Sequence, residues 1–258
     1  MSIKITDQLQ RVITLPNIPK RIVSLVPSQT ELLVDLGLEK QIVGITKFCI
    51  HPNHLKKEKK IVGGTKSVHF EKIKTLQPDI ILCNKEENTK EIVSMLEDIA
   101  PVHISDINTL EDCFGLVEQY GSIFEKEVEA NQLIDSIKKE KYSYTLNRKH
   151  NKVAYFIWKN PWMVSGGDTF INTMIEEAGF ENTFKSELRY LEIDLSHVKL
   201  QLADYVFLSS EPFPFKEKHI EEIKDRLPNK KILLVHGEYF SWYGSRMKGA
   251  YQYFETIE

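Results

Sequence analysis

Eight histidines, three cysteines and a scatter of carboxylates are the residues of this chain that could hold a metal or move a proton. His51 and His54 stand three apart, but Pro52 lies between them and no third ligand is near in sequence. His219, His236 and Glu238 converge only if folding brings them together. A lone loop histidine is ordinarily a hydrogen-bonding surface residue. The metal chemistry left to His51, His69 and His236 is axial ligation of an ion already held in a chelate. Cys49, Cys83 and Cys113 are odd in number and form no C-x-x-C pair. That argues against a disulfide framework or a zinc cluster and reads as buried free thiols. Glu86 and Glu87 are adjacent carboxylates that usually point apart, and read as a solvated loop. There is no G-x-S-x-G, P-loop or G-x-G-x-x-G; Gly63-Gly64 and Gly166-Gly167 are isolated pairs. Asp168-Thr169 reads as a helix cap. No catalytic residue is assigned.

The aromatics are more informative. Trp158 and Trp162, Phe213 and Phe215, and the run Tyr239, Phe240, Trp242 and Tyr243 fall after expected strands rather than within them. All three tryptophans are among them. Phe48, His51 and His69 hold comparable places in the first half. Rings crowded into loops suggest a surface that stacks on something large and flat, beside some local packing under irregular chain.

Strands and helices in alternation must position those loops. Residues 3–15 read as an edge hairpin. Residues 21–26 (RIVSLV), 42–46, 80–83 and 102–104 read as strands. Helices are expected from Ser28 to Gly37, with Ser28 and Glu31 as a capping box, and over 70–76, 91–99 and 110–124. The second half repeats the plan. Strands are expected over 153–157, 205–208 and 232–235, and helices over 170–178 and 220–226, with one more at the end. LQPDIILC and QLADYVFLS echo each other, each placing Asp before a buried strand. Such alternation implies mostly parallel sheets whose strand-end loops gather at one edge. Between the halves, residues 125–147 carry Val128, Leu133, Ile134, Ile137 and Tyr144 near helical spacing, with no Gly or Pro. A helix of that length runs roughly 33 Å. It is either a strut between two lobes or an ordinary long helix in one α/β domain.

Length, 258 residues, allows one large domain or two lobes. The net charge of −3, with Lys interleaved among Glu and Asp, gives no nucleic-acid signature. No apolar run approaches the ~20 residues of a membrane helix. The opening MSIKITDQLQ lacks a basic stretch followed by an apolar one. The expectation is a cytoplasmic protein, or one whose leader was replaced by a start Met.

Several stretches together resemble the helical-backbone metal-receptor family, the substrate-binding proteins of cobalamin and iron–siderophore ABC importers. They are TDQLQRVITLPNIPKRIVSLVPSQTELLVDLG, VGGTKSVHFEKIKTLQPDIIL, WKNPWMVSGGDTFINTMIEEAGFENTF and LSSEPFPF. The resemblance implies two Rossmann-like α/β lobes joined by one long rigid helix, with ligand in the cleft between them. The bounds would be 1–108 for the first lobe, 109–147 for the connecting helical region and 148–258 for the second lobe. It implies ligand contacts from Pro27, Ser28, Phe48, Gly64, Thr65 and Asn84 in the first lobe. In the second it implies Trp158, Trp162, Met163, Arg189, Phe213, Phe240 and Trp242. It also implies a monomer without catalytic activity or covalent cofactor, periplasmic or membrane-associated, carrying a metal chelate to an ABC permease. Siderophore binders of the family line the cleft with several arginines; here only Arg189 and Arg246 fall at such positions, which favours cobalamin over a ferric siderophore or haem. Docking on the permease would use one surface carboxylate per lobe. Glu71 matches the first. The second falls near Ser241, with Glu238 displaced beside it. A tetrapyrrole-handling, chelatase-like enzyme and a scaffold that has lost its ligand are the other readings.

Overall fold

The computed structural model describes residues 2–144 and 151–257. The chain divides into two compact units. Unit 1 holds Met1–Ile107, Glu111–Lys138 and Tyr243–Arg246; unit 2 holds Asn108–Leu110, Lys139–Trp242 and Met247–Glu258.

Unit 1 is built on a five-stranded, all-parallel sheet. Its strands are β3 (Ile22–Ser24), β4 (Ile42–Ile45), β5 (Lys60–Ile61), β6 (Ile80–Asn84) and β7 (Val102–Ser105), in the order β5-β4-β3-β6-β7. Every residue of β3, β6 and β7 is buried, which is why they read as continuous apolar runs rather than alternating ones. Strand order reverses at β3, with β4 on one side and β6 on the other, so the loops after β3 and β6 diverge. Such a point leaves a crevice at the carboxyl ends of the strands. The expected hairpin is β1 (Ile3–Thr6) against β2 (Val12–Leu15), a separate antiparallel pair. Its turn is held by the buried Asp7 carboxylate. That carboxylate accepts from the Leu9 N–H at 3.0 Å, the Arg11 N–H at 2.9 Å and Nε at 2.8 Å, and the Ile104 N–H at 3.2 Å.

The helices of this unit are α1 (Pro27–Asp35), α2 (Leu55–Glu58), α3 (Phe70–Thr75), α4 (Lys90–Glu97), most of α5 (Leu110–Phe124) and the first part of α6 (Glu127–Ser143). The capping box expected at Ser28 and Glu31 does not form. Pro27 already occupies the first helical position, Val26 is the cap, and no side chain caps it. Glu31 instead pairs with Arg246. Gly37 ends this stretch with a left-handed φ of 77°, its N–H bonded to Val34 O at 2.9 Å, as its place in the sequence predicts.

The helix expected over 125–147 is α6, which starts two residues later. Glu125 adopts a left-handed φ of 53° and separates α6 from α5. The helix ends at Ser143, with Tyr144 just beyond it; residues 145–147 of the expected span, Asn147 among them, lie outside the described residues. A Cβ added at Gly121 would lie 2.9 Å from the Ala130 Cβ, so this glycine sets how closely α5 approaches α6.

Unit 2 carries a mixed sheet. Its strands are β8 (Lys152–Trp158), β9 (Trp162–Ser165), β10 (Glu181–Asn182), β11 (Tyr190–Ile193), β12 (Tyr205–Ser209) and β13 (Lys231–Val235). The order is β11-β9-β8-β12-β13, with β10 also on β8. β8, β10, β12 and β13 run parallel; β9 and β11 are antiparallel additions. The stretch after Trp158 is therefore not a long loop but a tight return into β9. The helices are α7 (Phe170–Glu177), α8 (Glu217–Lys224), α9 (Glu238–Ser241) and α10 (Met247–Phe254). Thr169 caps α7, its hydroxyl accepting from the Asn172 N–H at 3.1 Å, as predicted from Asp168-Thr169.

The three cysteines are free and buried. Burial pushes the Cys83 and Cys113 thiols up to about 12, so neither is a nucleophile near neutrality. His103, on β7, is fully buried, with Nε2 3.0 Å from Gln119 Oε1. Desolvation holds its pKa below the ordinary histidine value, with Gln119 and Asp7 working the other way. The unfolded chain therefore takes up this proton at higher pH than the folded one. The stability it contributes is full above about pH 6.5 and is lost as pH falls below that. Denaturant midpoints should drop on acidification through this window, and His103→Gln should flatten that drop. Glu31 and Glu87, raised by burial, act with the opposite sign. They cancel in the comparison of variant with wild type. Equal slopes in the two proteins would refute the assignment.

Candidate functional site

In unit 1 the loops after β3, β4, β5 and β6 bring the expected residues to the carboxyl edge of the sheet. Pro27 is half-buried; Ser28, Gly64, Thr65 and Asn84 are buried; Phe48 is 48% exposed. Phe48 lies against Gly64, where an added Cβ would come 3.1 Å from the ring, and Lys47 Nζ sits 5.0 Å from the ring centroid. Gly63 must be glycine: its φ is 127°, and a Cβ would meet Ser67 O at 2.5 Å.

Two of the expected polar contacts serve the loops themselves. Asn84 Nδ2 donates to Ser105 O and Oγ at 3.2 and 3.0 Å. Its Oδ1 accepts from the N–H groups of Glu86 and Glu87 at 2.8 and 3.2 Å. Ser28 is bonded to the Tyr243 hydroxyl. Beneath them Gln29, fully buried, donates through Nε2 to Ser105 Oγ at 2.6 Å, Tyr243 OH at 2.9 Å and Cys83 O at 3.3 Å. Its Oε1 accepts from Tyr120 OH at 2.7 Å. Both N–H groups of the amide are thus engaged, shared among three acceptors, and its oxygen accepts one bond. Burial drives the Tyr120 and Tyr243 hydroxyls well above the ordinary phenol range, so both stay neutral donors.

Sequence reasoning missed Gln29, Tyr243 and Glu87. Tyr243 lies 214 residues from Gln29, beyond any local pattern. Glu87 is half-buried rather than solvated. Its carboxyl is bonded to Thr65, and burial raises its pKa above the ordinary carboxylate value.

In unit 2 the carboxyl ends of β8 and β12 carry the rings. Trp158 is 39% exposed and stands edge-on to Phe213, centroids 5.7 Å apart. Phe213 packs on Phe215 at 4.7 Å. Trp162 lies on β9 and stacks on Phe215 at 6.0 Å, with planes 7° apart. Met163, beside it, is half-buried. Arg189 is exposed, in a left-handed conformation with a φ of 57°, and its N–H donates to the Asp168 carboxylate.

Three assignments need correction. Phe240 is completely buried, packed on Phe254 at 5.1 Å, Tyr155 at 5.2 Å and Phe207 at 6.1 Å. Trp242 is 7% exposed. Both belong to the interior because residues 238–241 form α9, a helix too short to announce itself by periodicity. Glu238, on the same helix, is 8% exposed and is no surface carboxylate.

Glu71 is exposed on α3, and Ser241 is half-buried. Asp79 and Asp204 play matching parts in the two units. Asp79 accepts from the Lys20 and Arg21 N–H groups at 2.7 and 2.9 Å, and Asp204 from the Lys152 N–H at 2.8 Å. Glu71 precedes Asp79 by eight residues (79 − 71), and eight before Asp204 is Ser196 (204 − 196), also exposed. Glu71 and Ser196 thus stand at the same sequence distance before these two aspartates.

Among the described residues, the expected histidines do not converge on a metal site. His51 is half-buried beside Glu31, His69 caps α3 and is exposed, and His236 is exposed against Tyr239. Among the described residues the one group able to hold an ion is Glu39, His54 and Glu58, with ligand atoms within 4.8 Å of one another. It includes none of those three, lies at the surface, and is set among Lys40, Lys56, Lys57, Lys59 and Lys60.

The sequence profile described as periplasmic binding protein matches residues 22–231. The chain belongs to the periplasmic binding protein family. It is by family a substrate-binding protein of the ABC-uptake type and not an enzyme, as the resemblance implied. It is 28% identical over 211 residues to YvrC, an uncharacterized ABC transporter substrate-binding lipoprotein of Bacillus subtilis, a match covering 77% of this chain and 66% of that one. It is 25% identical over 201 residues to a vitamin B12-binding protein of Vibrio campbellii, covering 74% and 70% respectively. The match thus spans about two thirds of these relatives' lengths. Among solved structures, the petrobactin-binding protein YclQ of Bacillus subtilis superposes with a TM-score of 0.80, covering 99% of this chain and 96% of that one at 17% identity. That likeness shows the α/β fold. Among the described residues no helix is long and apolar enough to cross a membrane.

Proposed function

We propose that this chain binds a large metal chelate, a corrinoid before a ferric siderophore or haem, as the receptor of an ABC importer. The observation that carries the choice is the state of the two arginines at candidate positions. Arg246 is committed to Glu31 through two bonds, Nε to Oε2 at 3.1 Å and Nη2 to Oε1 at 2.8 Å. Arg189 stands on an exposed turn, its Nη1 donating to Asp168 O at 3.4 Å and its guanidinium lying 5.6 Å from the Tyr190 ring centroid. An anionic chelate would call for arginines whose forks are open to it. The rings at Phe48 and Trp158 offer apolar stacking surface instead. Neutral corrinoids, flat and rimmed with amides, fit that offer. The relatives that bind vitamin B12 support the same reading.

Delivery to a permease is proposed to use Glu71, with Ser196 leaving the second contact without an acid. The same reading places the protein outside the cytoplasmic membrane or attached to its surface, and it calls for no covalent cofactor.

The test is titration with cyanocobalamin and with ferric chelates, followed by gel filtration. One coloured ligand should co-elute, unchanged on recovery. Trp158→Ala should weaken corrinoid binding about 10- to 100-fold, as loss of an aromatic anchor does, with little change in melting temperature. Co-elution of a ferric chelate in place of the corrinoid would overturn the ligand assignment. Chemical alteration of the recovered ligand would overturn the receptor reading.

A further inference from the structure

We propose that the Glu87 carboxyl selects the charge of the ligand, accepting hydrogen bonds from amide N–H groups of the chelate and turning away carboxylates and catecholates. This rests on the reading of the strand-end edge of unit 1 as a chelate-binding surface.

Glu87 sits in the loop after β6, beside the reversal of strand order between β3 and β6. In an open parallel sheet that is where ligands meet the fold. The loop is already shaped. Asn84 Oδ1 takes the N–H groups of Glu86 and Glu87, the Asn84 N–H donates to Asn88 Oδ1 at 2.9 Å, and Asn88 Nδ2 donates to Thr65 O at 2.9 Å. A carboxyl on so braced a loop needs no rearrangement to meet a ligand.

Its surroundings leave it a specific task. Asn84, on the same loop, and Tyr243, within electrostatic reach of Glu87, spend their hydrogen bonds on Ser105, Gln29, Ser28 and the loop itself. Lys66 is the cation nearest Glu87, and its ammonium donates to Glu86 O. Thr65 supplies one hydrogen bond to the carboxyl. A carboxyl has more acceptor positions than that, and a half-buried one is costly to leave short of donors. Corrinoid side-chain amides present such donors. It is the ionised carboxylate, an acceptor only, that takes these bonds and opposes an anion; a protonated carboxyl would itself donate to one. An anionic chelate presents acceptors and like charge to the same oxygens. The ionised carboxylate therefore discriminates against anions, where the arginine count bears only on bidentate attraction of them.

Wild type, Glu87→Gln and Glu87→Asp would be titrated by quenching of tryptophan fluorescence with cyanocobalamin and with a ferric tris-catecholate. Melting curves would confirm that each is folded. Glu87→Gln should gain at least tenfold in affinity for the tris-catecholate while changing several-fold at most for cyanocobalamin. Glu87→Asp should keep the wild-type order. Wild type that binds cyanocobalamin, with a Glu87→Gln variant of unchanged selectivity, would overturn this inference alone. Wild type that ignores cyanocobalamin would overturn the corrinoid reading and this inference with it. If Glu87→Gln does not fold, Glu87→Asp and Glu87→Ala carry the comparison. Equal selectivity in those two would again overturn the inference.

Discussion

Replacing Gln29 by leucine should cost the protein about 4 kcal/mol, because the orphaning of several buried polar groups outweighs the gain from an apolar side chain of similar size. The amide is fully buried and serves Ser105, Tyr243, Cys83 and Tyr120 at once. Leucine fills most of the volume but offers none of these bonds. The Tyr120 hydroxyl would face an apolar side chain in place of its acceptor. Tyr243 and Ser105 would keep only their long 3.4 Å contact and their other partners. Denaturant titration followed by circular dichroism reads the loss. A double-mutant cycle with Tyr243→Phe should show coupling above about 0.5 kcal/mol, the range found for residues sharing one network. A loss below about 1 kcal/mol in the single variant would mean that water replaces the amide, and that the network does not organise the edge of unit 1.

Phe240→Ala should be comparably severe, at about 3–5 kcal/mol for emptying a buried aromatic site. The ring has no exposed surface and is enclosed by Tyr155, Phe207 and Phe254 within unit 2. The prediction separates two roles. A ring that walls a binding site would cost affinity and spare the fold; a ring in the interior does the reverse. Thermal unfolding of Phe240→Ala beside Trp158→Ala should show the contrast directly. A Phe240→Ala protein that melts like wild type but no longer binds would restore the ring to the ligand.

Much of the architecture could be read from the chain. RIVSLV and IILCN gave buried strands because a parallel sheet covered on both faces demands continuous β-branched and apolar residues. The turn at Gly37 and the cap at Thr169 followed from local chemistry that tertiary packing left alone. Elsewhere packing overrode it. Ser28 and Glu31 have the spacing of a capping box, but Pro27 starts the helix one residue early and Arg246, 215 residues away, claims the glutamate. β9 and β11 were invisible because each is four residues of mixed polarity, too short for alternation to register. The candidate site shows the same division. Exposed Phe48 and Trp158 were found by their type and by following strands. Phe240 and Trp242 fit the same description and lie inside, because the four residues of α9 turn them inward. Glu87 looked like ordinary loop charge; its partners Thr65 and Asn84 are neighbours only once β5 and β6 stand in one unit.

The segment Tyr243–Arg246 belongs to unit 1 although the chain on either side of it belongs to unit 2. It supplies the hydroxyl that Gln29 holds, the N–H of Gly244 that meets Cys113 Sγ at 3.2 Å, and the guanidinium that answers Glu31. A ribosome delivers these four residues only after the strands of both sheets have been made. The first half of the chain can collapse early, but its interior stays incomplete until residues 243–246 have been made. The unit begun first thus waits for residues made after the whole of the second sheet, and the two units cannot be completed one after the other in chain order.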